Sequence, residues 1–271
     1  MKIANYFNPL KDIYLSGNNP KALFELWKQK MDKVPWLKQL LLNDLINMGV
    51  DIDLYSSETV FPFTQTHVKE MKNCVQLLDE ILNTLIPRIN KILPSEENIE
   101  IIYYHGLLSS AGWAYHNKIL LGIDKIVELG WDTKERLEDL IIHEYTHIIH
   151  AQRRKESIDK DNNYIFRLYI EGVATYNESL FNQAKKHSTW YLIGLENEEE
   201  LKQEFLKRLE SGINLHHFFG DWWSIYNIIE AGYFLGLRWI LSIIKNQSID
   251  SIMIMSDIDI KKSIMTYLEA K

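Results

Sequence analysis

A chain of 271 residues, 46% hydrophobic and 25% charged, has globular composition and is long enough to bury the core of one large domain or two small ones, which excludes a disordered chain. Its formal charge of −7 offers no basic field for nucleic acid, and its single cysteine, Cys74, excludes an internal disulfide and a cysteine-rich metal site. The amino terminus has no apolar run of signal-peptide length, and the longest apolar stretch, 231–244, carries Arg238 and falls short of the ~20 residues a membrane span needs. These features lead us to expect a soluble cytoplasmic protein without nucleic-acid or membrane partners.

The first hundred residues read as helices. Pro20 suits a first helical turn, and Leu23, Phe24, Leu26 and Trp27 follow at helical spacing. Pro35 restarts the pattern, with Trp36, Leu37, Leu40, Leu41 and Leu45 on one side and Gly49 as the stop. Asp51–Tyr55 is too short to assign. From Thr66 the spacing Val68, Met71, Val75, Leu78, Leu82, Leu85 predicts a long amphipathic helix, kinked or ended near Pro87. These aromatic and aliphatic side chains are read as core.

The period then changes. Ile99–Tyr104 is rich in β-branched and aromatic residues and reads as a strand, and a second strand is expected at Lys118–Ile123 after a small-residue loop at Leu107–Gly112. Thr133–Arg154 reads as a helix apolar over most of its circumference, hence buried, with a polar stripe facing a cleft. A charged loop follows at Gln152–Asn163, then helical patterns at about Tyr164–Ala184 and Glu196–Ser211. The last two expected elements are a helix capped by Asp221 that runs to Lys245, and a final helix at Ser256–Ala270. The fold class expected is α+β, mostly α-helical: a mainly helical part at 1–95, then a part at 96–271 with a small sheet beside the helix at Thr133–Arg154 and a helical C-terminal end, together one two-lobed unit.

Within that helix lies H-E-x-x-H: His143, Glu144 and His147. Residues four apart share a helix face, so both imidazoles can close on one Zn²⁺ while Glu144 lies beside it as a base for a bound water. The longer motif ending G-x-x-H fails, because His150 and Arg153 stand at its last two defined positions. His150 also lies about 10 Å along the axis from His143, too far for one straight helix to wrap an ion. Glu171 is the better third ligand: 23 residues separate it from His147, enough for a loop and a returning helix, and Gly172 and Ala174 would permit close helix approach.

His143-Glu144-x-x-His147 followed by Glu171-Gly172-x-Ala174 resembles the gluzincin metallopeptidases, the group to which thermolysin belongs. It is most similar to an uncharacterised bacterial family of predicted zinc-dependent proteases. The resemblance covers roughly 99–241. It implies a zincin-like fold, a Zn²⁺ on His143, His147 and Glu171, Glu144 as general base, a peptide or protein substrate, and an edge strand at about Gly112-Trp113-Ala114 that aligns the peptide. Relatives use a Tyr or His as oxyanion donor. Tyr233 is the choice here, with Tyr226, Tyr176, His216 and His217 open; His67, His105, His116 and His187 are read as structural or exposed. Two departures stand out: the ligand spacing is a few residues longer than in thermolysin-like enzymes, and Thr175 replaces an aspartate that often follows the glutamate ligand. Asp139 is then either the partner that orients His143 or an exposed first-turn acid. The alternative function is a peptide-binding or regulatory protein that keeps a zincin fold without turnover.

Overall fold

The computed structural model describes residues 2–8, 10, 14, 19–156, 163–220 and 223–270. The chain divides into two compact units, Met1–Glu144 and Tyr145–Lys271, with the boundary inside one helix. The secondary structure is mostly helical with a small mixed sheet, an α+β composition.

In the first unit, β1 (Lys2–Asn5) is followed by α1 (Pro20–Met31) and α2 (Pro35–Asn47). Asn19 caps α1 by accepting from the Ala22 N–H at 2.9 Å, with Pro20 in the first turn, where a missing N–H costs nothing. Gly49, at φ +73°, takes the left-handed turn that closes α2. Ile52–Tyr55, too short to assign by pattern, is one helical turn capped by Asp51 and runs through a π turn, Ser56–Val60, into α3 (Phe61–Ile92). The expected stripe from Val68 to Leu85 is buried in α3. Pro87 neither ends nor kinks this helix. The departure from helical geometry lies at His67 (φ −118°, ψ 16°), where side-chain hydrogen bonds from Thr66 and His67 to the Phe63 carbonyl enter the ladder.

β2 (Glu100–Tyr104), β3 (Gly112–Tyr115) and β4 (Lys118–Gly122) complete a four-stranded sheet in the order β1-β2-β4-β3. β1, β2 and β4 are parallel, and β3 pairs antiparallel with β4 at the edge. Ile101–Tyr104 and Ile119–Leu121 are buried on both faces, which is why β2 and β4 read as continuous apolar runs. β4 leads directly into a short helix, α4 (Ile123–Glu128).

The loop from β2 to β3 is organised by Asp124 of α4. Its carboxylate accepts the Gly106 N–H at 2.6 Å and the Leu108 N–H at 2.7 Å. Leu107 and Leu108 between and beside these bonds sit at φ +55° and +56°, a conformation costing an L-residue roughly 1–2 kcal/mol each. His105 closes the brace. Thr64 donates its hydroxyl to Val60 O, so the His105 Nε2–H donates to Thr64 Oγ1 at 2.8 Å, which leaves Nδ1 to accept from the Leu107 N–H. Gly122 has no room for a side chain, because a Cβ there would lie 2.2 Å from Ser110 O.

The helix shared by the two units is α5 (Lys134–Arg154). The second unit continues with α6 (Tyr164–Phe181), α7 (Thr189–Glu196), α8 (Glu198–Glu210), a hairpin of β5 (Ser224–Ile225) and β6 (Ile228–Ile229), α9 (Ala231–Ile243), α10 (Ile249–Met253) and α11 (Asp257–Glu269). The single helix expected from Asp221 to Lys245 is therefore corrected: residues 224–229 form the hairpin, turning at Tyr226 and Asn227 (φ +49° and +64°), and the helix starts at Ala231. Asp221 itself lies outside the described residues, as do residues 157–162 of the expected loop at Gln152–Asn163, whose first three residues, Gln152–Arg154, instead close α5. α6 crosses α9 with Gly172 against Gly236, where a Cβ on Gly172 would meet the Gly236 carbonyl carbon and oxygen at 2.6 Å.

Candidate metal centre

Thr133 caps α5, its hydroxyl accepting from the Arg136 N–H at 3.4 Å. Glu135 in the first turn and Arg153 and Arg154 in the last complement the helix dipole. Leu137, Ile141, Tyr145 and Ile148 are buried along one stripe with Ile142 and Ile149 beside it. Nothing on this helix is therefore free to turn its polar stripe elsewhere, and His143, Glu144 and His147 are presented together.

His143, His147 and Glu171 offer one ligand atom each, all within 4.8 Å of one another. His147 Nε2 and Glu171 Oε2 stand 3.4 Å apart, both residues nearly buried. Two ligand atoms at tetrahedral angles on bonds of about 2.0–2.1 Å are separated by about 3.3 Å. The His147–Glu171 pair stands at that spacing, and two imidazole nitrogens with a carboxylate oxygen, all within 4.8 Å of one another, form a donor set that could hold a divalent cation.

Glu144, 8% exposed, stands beside His143 on the helix and against the start of β3: a Cβ on Gly112 would come within 3.1 Å of its Oε1. The start of β3 thus lies against the Glu144 carboxylate. The ladder fixes what β3 presents. Gly122 N–H donates to Ala111 O, so the pairs 113/120 and 115/118 exchange hydrogen bonds, and the backbone groups of Gly112 and Ala114 point to the outer edge. One of these is already engaged, because Ser110 Oγ donates to Gly112 O at 2.9 Å.

His150 belongs elsewhere. It is fully buried, with its ring 2.8 Å from the Tyr169 hydroxyl, which in turn donates to Ile252 O. Burial, then the charges of His147 and Arg154, hold its pKa well below the usual imidazole value. Asp139 lies half-buried one turn before His143, and Thr175 is buried one turn after Glu171.

Sequence reading missed Arg167. One turn before Glu171, its Nε lies 3.8 Å from Glu171 Oε1, and its guanidinium covers the Phe219 ring at 4.8 Å. The i,i+4 spacing was the available signal. Tyr233, in the first turn of α9, packs its ring on the same Phe219 at 6.2 Å. His216 is held below its usual pKa by burial first and then by the Arg167 and His217 charges. Tyr226 is exposed on the hairpin turn, Tyr176 is half-buried on α6, and His217 stacks on Trp223 at 4.3 Å. Among the others, His105 is structural, His67 binds its own helix, and His116 and His187 are exposed.

Comparison with protein-family models, with curated proteins and with solved structures gave no match.

Proposed function

We propose that this chain is a zinc-dependent peptidase of gluzincin type with a zincin-like core. The observation that carries the reading is the His143, His147 and Glu171 cluster with the Glu144 carboxylate next to it and an open strand edge against that carboxylate. His143, His147 and Glu171 would hold Zn²⁺, which would supply Lewis acidity to lower the pKa of a water and polarise a carbonyl. Glu144 Oε takes a proton from the attacking water and returns it to the leaving nitrogen. The near-burial of Glu144 supports that role, since a base shielded from bulk water keeps the proton in the site. The outward N–H and C=O of Ala114, with the Gly112 N–H, pair an extended peptide and bring its carbonyl to Glu144. Tyr233 is the proposed hydroxyl donor to the developing oxyanion. It lies three residues before Gly236 on α9, on the side that meets α6 beside Glu171, which supports the choice.

Among the described residues no helix is long and apolar enough to cross a membrane. Glu144→Gln tests the reading: the variant should keep its metal and lose peptide hydrolysis by about a thousandfold or more. Full hydrolysis by Glu144→Gln removes the proposed base. A metal-loaded wild-type chain that binds peptides and cuts none would instead favour the binding-protein alternative.

A further inference from the structure

The edge strand carries aromatic rings as well as hydrogen-bonding groups. Side chains alternate along a strand, so Gly112 and Ala114 face one side, and Trp113 and Tyr115 the other. Gly112 faces Glu144. On the opposite face, Trp113 and Tyr115 are half-buried, and the Tyr115 ring lies parallel to that of Trp36 at 5.5 Å and 8°. Trp36, in the first turn of α2, is 36% exposed, whereas Trp27 of α1 is fully buried. Both members of the stacked pair are held by rigid elements: Pro35 fixes the start of α2, and the hairpin turn at His116 (φ +52°) fixes the end of β3. Lys118, opposite Tyr115 on β4, is engaged by Glu100 at 3.1 Å, which leaves the rings to select the ligand.

We propose that Tyr115 and Trp36, with Trp113 beside them, form an apolar subsite for one side chain of an extended peptide on β3. The inference rests on the peptidase reading and narrows its substrates to peptides with a large apolar or aromatic residue at that place. Directly opposed residues of neighbouring strands share a face, with Cβ atoms about 4.5–5.5 Å apart. A peptide residue opposite Tyr115 therefore turns its side chain to the Tyr115–Trp36 pair, while the residue opposite Gly112 turns toward Glu144. Three residues at about 3.4 Å each put the subsite about 10 Å along the peptide from the base.

The test is a set of peptides carrying Phe, Leu, Ala, Lys or Asp at each position, offered to the metal-loaded chain. At one position, three residues from the residue at the cut, Phe should exceed Ala by about tenfold in kcat/KM. Trp36→Ala should bring that ratio below about threefold, and Trp36→Phe should restore it, with metal content unchanged in both. The same preference should appear without turnover when labelled peptides bind the Glu144→Gln chain, read by fluorescence anisotropy. Cleavage that is indifferent to that position, or a preference untouched by Trp36→Ala, overturns the subsite and leaves the peptidase reading standing. A metal-loaded chain that neither cuts nor binds any peptide overturns both.

Discussion

Replacing Gly172 by Ala places one methyl group where two helices touch. The new Cβ would sit 2.6 Å from the carbonyl carbon and oxygen of Gly236 and 2.8 Å from its Cα. Backbone atoms cannot swing aside, so α6 and α9 must separate by about 0.8 Å to reach ordinary contact near 3.4 Å. Overpacking costs about 1–3 kcal/mol, and a rigid obstacle calls for the upper end. Better helix propensity returns about 1 kcal/mol, which leaves a net loss of about 2 kcal/mol, or roughly 5–10 °C in the unfolding midpoint of a unit this size. Glu171 is the adjacent residue and moves with its helix. Ligand distances tolerate about 0.2 Å, so a shift of about 0.8 Å should weaken metal binding by ten- to a hundredfold. Circular dichroism melts read the first effect and competition against a chelator the second. An unchanged midpoint together with unchanged metal affinity would refute the close crossing, and with it the placement of Glu171 by that crossing.

Asp124→Asn should destabilise the chain by about 2 kcal/mol in urea unfolding, because it replaces one of two charge-assisted acceptors with a donor facing a backbone N–H. A shift under about 0.5 kcal/mol would mean that the Leu107–Leu108 turn holds without the brace. Burial keeps His105 and His150 below the usual imidazole pKa, so as pH falls through about 6.5 the unfolded chain takes up protons at both before the folded chain does. Stability is then fully present above about pH 6.5 and lost below it, by up to about 1.4 kcal/mol per pH unit for each histidine. Urea midpoints measured with EDTA between pH 7.5 and 5 should show that fall, His150→Gln should remove the larger share of it, and a flat profile would contradict it.

The strong periodicities were legible. The stripe of α3, the runs of β2 and β4 and the buried circumference of α5 all state their partners through local spacing, and H-E-x-x-H names two of the three residues of the candidate metal cluster. Glu171 came from chain length and helix return, and the structure brings it to His147. What local spacing could not convey depends on distant contacts. β1 is four residues long and exists because β2, almost a hundred residues later, pairs with it. The β5–β6 hairpin hides in a stretch whose isoleucines fit a helix as well as a strand; only the Tyr226-Asn227 turn distinguishes them. Pro87 reads as a break, yet apolar residues on either side, Leu85, Ile86 and Ile89, are buried and carry α3 through it. The Asp124 brace has no sequence motif, since its partners are backbone N–H groups 16 and 18 residues away.

If α5 and α6 meet at one metal ion, as proposed, the chain binds a single zinc and needs Glu171 to hold it. Elemental analysis of the purified chain after dialysis against zinc and removal of excess should give one equivalent for the wild type and for Glu144→Gln. Glu171→Ala should bind far more weakly and lose its zinc on the same dialysis. One equivalent retained in Glu171→Ala, or none in the wild type, would rule out a shared ion at these three residues.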